Sequence, residues 1–245
     1  MSALEPYLII DLDKGVIDYA DIVPSGGWSD EYFLRKMVLR LIEPCTFEME
    51  TNVDLMKSTR KFQGICDDSV KRQVSISKAY YIGIFEITQK QYEIITGRNL
   101  ASFKCDTKPV NFVSYDMIRG GDFDNNQVTS DSFFGKLRSK TKLDFDLPTE
   151  EQWECACKTS PRRCKSLNNQ NIINDKDHTV INSYSPNSWG VYDMHGLVWE
   201  WCLSGVLRGG GWSGSDFYCR SARRQSCFYA DFAKNNCGFR AALVT

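Results

Sequence analysis

The chain has 245 residues, of which 42% are apolar and 13% aromatic, enough to build a folded core and hard to reconcile with disorder throughout. Thirty Lys plus Arg face thirty-one Asp plus Glu, and the formal charge of -1 leaves no global field to draw in a nucleic-acid backbone. No apolar run approaches the roughly 20 residues of a membrane span, and the opening Met-Ser-Ala-Leu-Glu lacks the basic and apolar parts of a signal peptide, so the chain as given reads as soluble.

Taken in order, "YLIIDL" at residues 7–12 reads as a buried strand, a short apolar run closed by Asp, Lys and Gly. "KMVLRLI" at 36–42 and "YYIGIFEI" at 80–87 read the same way. Thr88-Gln-Lys-Gln91 has the form of a capping box, and Gly97 is a natural stop, which predicts a short helix over 88–96. A further helix is expected over about 131–140. Thr149-Glu-Glu-Gln152 repeats the capping box after Pro148, with Trp153 and Ala156 on the inward side of the helix it starts. The polar, Asn-rich stretch from 159 to 188 reads as a long surface excursion. Beyond it, "GVYDMHGLVWEWCLSGVLRGGGW" is rich in Gly and Trp, which suits bulged strands and hairpins better than helices. Apart from the first thirty residues, the chain reads as one domain, and one domain is expected over 1–245.

Ten cysteines are many, yet a domain of this size does not need disulfides to fold. No CxxC occurs, and His178 and His195 are the only histidines, so a three-histidine metal centre is impossible. No G-x-S-x-G elbow, HExxH or P-loop is present.

Several segments in order, "SKAYYIGIFEITQKQYEIITG", "KPVNFVSYDM", "LDFDLPTEEQWECAC", "WGVYDMHGLVWEWC", "VLRGGGW", "CRSARR" and "CGFRAAL", resemble the formylglycine-generating-enzyme (sulfatase-modifying factor) family. The resemblance implies an α+β, C-type-lectin-like fold of the formylglycine-generating-enzyme subtype, with short twisted antiparallel sheets, two main helices and much irregular chain. It also implies scaffold roles for Trp199, Trp201, Gly209 and Gly210. The enzymes of the family bind copper through two cysteines five positions apart, between "GGS" and R-x-A-R. Here that stretch holds Cys219 alone, and the next cysteine is Cys227, beyond the Arg pair. A soft-metal site needs both thiolates in place, so a cysteine- and copper-dependent oxidase would require displaced thiols, and no cofactor is expected to be required. In calcium-binding members, the matching positions are Asp193, Gly196, Val198 and Glu200, the middle two through carbonyl oxygens. Leu197 departs from the usual Asn there. The competing reading has Asp193 capping a turn and Glu200 paired with an Arg.

A non-catalytic branch with this fold, the variable proteins of diversity-generating retroelements, is also similar to this chain. In that branch the segment from about "RGGSW" to "GFR" is rewritten at template adenines and lines a ligand-binding face. An AAY codon randomised at its adenines never yields Met, Trp, Lys, Glu, Gln or a stop. Residues 213–219, "SGSDFYC", and 226–233, "SCFYADFA", hold only the permitted types. The composition suits recognition: Tyr and Phe supply contact area at low entropy cost, and Ser, Gly and Asp adapt their hydrogen bonds. The resemblance therefore implies a variable region at about 209–240, with ligand contacts from Ser213, Ser215, Asp216, Phe217, Tyr218, Arg223, Ser226, Cys227, Phe228, Tyr229, Phe232 and Cys237. Trp212, Arg220, Ala222, Arg224, Gly238, Phe239 and Arg240 match fixed framework positions. The expectation is a non-enzymatic, monomeric, ligand-binding protein that meets a protein or glycan on another surface. It is expected at the cell surface or exported, with the cytoplasm as the alternative, and a generic binding module is the alternative role.

Overall fold

A computed structural model describes residues 4–51, 70–124, 127–158, 180–212, 219, 221–227 and 229–244. Strands β1 (Tyr7–Asp11), β2 (Ile17–Ala20), β3 (Lys36–Ile42), β6 (Tyr80–Gly83) and β11 (Ala242–Val244) form a five-stranded antiparallel sheet in the order β11-β6-β3-β1-β2. The apolar run of β1 is buried along four successive residues because both faces of the strand are covered. A hairpin of β4 (Cys45–Thr51) and β5 (Val70–Ile76) stands apart from that sheet.

The second main sheet has four short strands, β7 (Trp199–Trp201), β8 (Val206–Arg208), β9 (Arg224–Ser226) and β10 (Cys237–Gly238), in the order β10-β7-β8-β9. Its β10–β7 pair is parallel, so the antiparallel expectation holds for its other two pairings only. The helices among the described residues are α1 (Asp30–Leu34), α2 (Gln89–Thr96), α3 (Tyr115–Arg119), α4 (Phe133–Thr141) and α5 (Glu150–Lys158). Three of these reach eight or nine residues, where the resemblance implied two main helices.

Both predicted capping boxes form. The Thr88 hydroxyl accepts from the Gln91 N–H at 3.1 Å while Gln91 accepts from the Thr88 N–H at 3.0 Å, and Gly97 ends α2 at φ 77°. Thr149 and Gln152 repeat the exchange at 3.2 and 2.9 Å. The run at 80–87 is a strand only to Gly83. Beyond it the backbone bends to meet separate loops: Tyr192 donates to the Ile84 carbonyl, and Ile87 exchanges bonds with Val110 and Phe239. The main core lies between the sheets and helices α2–α4, with Tyr92 stacked on Phe133 at 5.5 Å and Phe239 set edge-on against Phe133 at 5.0 Å.

Candidate functional site

The base of the C-terminal segment is held by two buried charge networks that meet at Trp153 on α5. Arg240, just after β10, donates to both carboxylate oxygens of Glu200 on β7, at 2.5 and 2.7 Å, and to the Gly83 carbonyl at 2.9 Å. The Trp153 indole N–H donates to Glu200 at 2.8 Å. On the other side of the indole, the Arg208 guanidinium lies 5.3 Å from the ring centroid and pairs with Glu154 and Glu150. Arg208 also donates to the Ser221 carbonyl at 2.7 Å, and Arg224 pairs with Glu150 while donating to the Glu50 carbonyl at 2.9 Å. Burial alone would raise the Glu150 carboxyl, but Arg208 and Arg224 outweigh it and hold the group below its usual range.

Gly209 and Gly210 link this base to the segment at φ 89° and 81°. A side chain at Gly209 would meet the Trp153 ring at 3.0 Å, so left-handed backbone and close approach both call for glycine there. The scaffold role of Gly209 therefore has a packing reason, and that of Gly210 a conformational one. Trp199 and Trp201 are buried in β7, and the Trp201 indole donates to the Val113 carbonyl at 3.0 Å.

His195 fastens the segment farther along. Its Nδ1 lies 2.6 Å from the Cys219 carbonyl oxygen, and its Nε2 lies 3.4 Å from Cys157 Sγ. A carbonyl only accepts, so Nδ1 carries a proton. Burial pulls the imidazole below its ordinary pKa, which leaves Nε2 as the acceptor for the Cys157 thiol. Burial also pushes that thiol far up, so it is a proton donor rather than a thiolate.

After β9 the chain is anchored by its backbone. Asp116 donates to the Ala230 carbonyl, Phe112 to Lys234 and Trp199 to Asn236, at 2.9, 2.9 and 2.7 Å. Within this frame Tyr229 is 70% exposed. Phe232 is half-buried, edge-on to Trp201 at 6.4 Å, and the Lys234 ammonium sits 5.1 Å from its ring. Ser226 and Cys227 are also half-buried. Cys237 and Arg223 lie in the interior at 1% and 5% exposure, where neither side chain meets a ligand without local rearrangement. Ser213, Ser215, Asp216, Phe217, Tyr218 and Phe228, with Arg220, lie outside the described residues.

The four positions matched to a calcium site lie close in sequence, but the fit is poor. Both Glu200 oxygens are committed to Arg240, so a cation there would have to displace a guanidinium. Asp193 accepts from the Asn182 N–H at 2.6 Å through one oxygen, and its other oxygen is buried without a hydrogen-bond partner. Burial raises the Asp193 carboxyl to about 6 against the pull of that N–H and of Arg240. The Gly196 N–H donates to the Gly209 carbonyl, and the Val198 N–H to Glu86. Among the described residues no three of His, Cys, Asp and Glu are grouped to hold a metal ion.

Sequence reasoning did not single out a small concavity lined by Gln89, Lys108, Pro109, Asn111, Leu197, Val198 and Trp212. Its walls come from four separate stretches, and no local pattern joins them. The buried charge network was equally hidden, except that an Arg partner for Glu200 was one of the two readings of that residue.

Comparison with known proteins follows the same lines. Serine/threonine-protein kinase pkn1 of Chlamydia pneumoniae is 36% identical over 83 residues, covering 31% of this chain but 12% of the kinase. The inactive C-alpha-formylglycine-generating enzyme 2 of Bos taurus is 32% identical over 129 residues, 39% of this chain and 43% of that protein. This chain thus spans less than half the length of either relative. In three dimensions, Treponema denticola variable protein 1 superposes with a TM-score of 0.66 at 21% identity, over 86% of this chain and 96% of that one, and shares its C-type-lectin-like fold. Residues 33–244 match the sulfatase-modifying factor enzyme 1-like domain, and the chain belongs to that family.

Proposed function

We propose that the protein is a non-catalytic recognition module whose C-terminal segment, about 209–240, presents ligand contacts on a fixed base. The observation that carries this is a contrast: Arg208 just before the segment and Arg224 and Arg240 within it are buried and paired, whereas Tyr229 is 70% exposed. Loops on a rigid base are where binding residues gather, and an exposed Tyr supplies broad contact with little entropy to lose. The likeness to a variable protein supports the reading, as does a relative described as inactive. An oxidase with displaced thiols gains nothing from Cys227. The thiol that acts on it is that of Cys237, and burial pushes both to about 12, the reverse of a poised thiolate pair.

The finer part of the proposal is that a retroelement diversifies this segment and that the ligand is a protein or glycan on another surface. Sequencing the DNA beside the gene tests the diversification. The expected result is a near-copy of codons 209–240, differing mainly at adenines, next to a reverse-transcriptase frame. Absence of both returns the protein to a generic binding module. For the binding role itself, grafting the 211–236 segment onto a relative of known ligand should transfer a new binding preference; an unchanged preference would count against it.

A further inference from the structure

Strand β2 is an open edge of the five-stranded sheet: among the described residues it pairs with β1 alone. The opposite edge, β11, is covered at Ala242, which exchanges backbone bonds with Asp146 at 2.8 and 2.9 Å. In the β1–β2 hairpin the Asp11 N–H donates to the Val16 carbonyl at 2.9 Å. Bonded pairs therefore fall at Ile9–Asp18 and Tyr7–Ala20, and the N–H and C=O groups of Ile17 and Tyr19 face outward. The Tyr19 N–H agrees with this direction, for it donates to the Asp18 carboxylate at 2.9 Å rather than to another strand. Five of the ten exposed large apolar side chains among the described residues, Leu4, Val16, Tyr19, Ile22 and Val23, lie on or beside this hairpin, with Ile22 at 76% exposure. Such gathering, unlike single scattered residues, marks an interaction surface. Acids stand among them. Asp18 and Asp21 are exposed and meet no Lys or Arg among the described residues. The cations near the hairpin are committed elsewhere, Lys14 to Asp11, Arg35 to Asp13 and Lys140 to the Leu12 and Asp13 carbonyls.

We propose that the outer edge of β2 is a strand-addition site for an extended, basic segment of a partner protein. The segment continues the sheet as a further strand, its backbone bonding to Ile17 and Tyr19. A partner carbonyl takes the Tyr19 N–H from Asp18, and the released carboxylate, together with Asp21, pairs with Lys or Arg of the incoming strand. Apolar side chains at alternate positions of that strand cover Tyr19, Ile22 and Val23. A second copy of this chain is the wrong occupant. Pairing two β2 edges sets one Asp18–Asp21 row against another, and like charges facing each other destabilise a strand pair. Main-chain bonds thus supply affinity while the acids select the partner, so binding weakens as salt rises.

The test titrates the full chain into a fluorescein-labelled peptide of alternating lysine and valine, about six residues long as an ordinary strand is, and follows anisotropy and amide hydrogen exchange. The expected result is saturable binding that slows exchange at Ile17 and Tyr19 and is lost when the peptide's amide nitrogens are methylated. In D18N/D21N the affinity should fall about tenfold, the worth of two exposed charge pairs. Both positions are exposed and asparagine still caps the Tyr19 N–H, so an unchanged melting temperature shows that the variant folds. Absence of binding, binding that leaves both amides unprotected, or equal affinity in D18N/D21N overturns the proposal. Equal affinity for the methylated peptide, or for one of alternating glutamate and valine, does the same. A dimer of the protein alone that protects these amides also overturns it, and gives the edge to a second copy.

Discussion

Arg240 and Glu200 share two hydrogen bonds in a site closed to solvent, so neutralising either one leaves the other buried without its hydrogen-bonded counter-charge. R240L or E200Q is therefore expected to cost about 3–5 kcal/mol, measured by chemical denaturation, because a broken buried pair loses far more than an exposed one. Asp193 carries the opposite sign. Its carboxyl titrates at about 6 in the fold and at about 3.9 in an unfolded chain, so between those values the folded state holds the extra proton. Its contribution falls as pH rises through that window and stays unfavourable above it. D193N keeps an acceptor for the Asn182 N–H and tolerates the residue's φ of 55°. It should raise stability at pH 7 by about 1–3 kcal/mol and flatten the pH dependence between 4 and 6. The same variant decides the calcium question: with Glu200 held by Arg240, neither calcium nor a chelator should move the melting temperature. A calcium-dependent rise that D193N abolishes would restore the ion.

At the scale of elements, the capping boxes show which parts of the fold were legible. Thr88 and Thr149 are read from four-residue patterns because the bonds they make are local. T149A should cost about 1 kcal/mol in thermal or chemical unfolding, the usual worth of such a cap. Strand β3 was legible in full, since its apolar run is closed at both ends by charge. The run at 80–87 was legible only to Gly83, because the bonds that bend it come from Tyr192, Val110 and Phe239. The two-residue β10 and its parallel pairing with β7 were not legible, as their partners lie far apart in the chain. The site divides the same way. Framework glycines and tryptophans follow from the resemblance, but exposure within the segment does not follow from composition. Tyr229 and Cys237 are equally plausible contact residues in sequence, yet backbone bonds at Ala230, Lys234 and Asn236 turn one outward and the other into the core.

For the whole molecule, the separation of base from display predicts different responses along one segment. Y229S should change stability by less than about 0.5 kcal/mol, as an exposed substitution does. F232S should cost roughly 2 kcal/mol or more, because its ring packs on Trp201 and adds to the main core. Paired thermal melts check both, and equal losses would remove the distinction. The two arginines that bracket the segment, Arg208 and Arg240, both reach the Trp153 neighbourhood, one over its ring and one through Glu200. They set the end-to-end distance of the intervening chain whatever its content. Closing a loop between fixed ends depends only logarithmically on contour length, about 0.6 kcal/mol for each doubling. The chain between them is pinned again at Cys219, at β9 and at Ala230, Lys234 and Asn236, so the architecture confines tolerance in length, as well as in chemistry, to the short stretches between those pins.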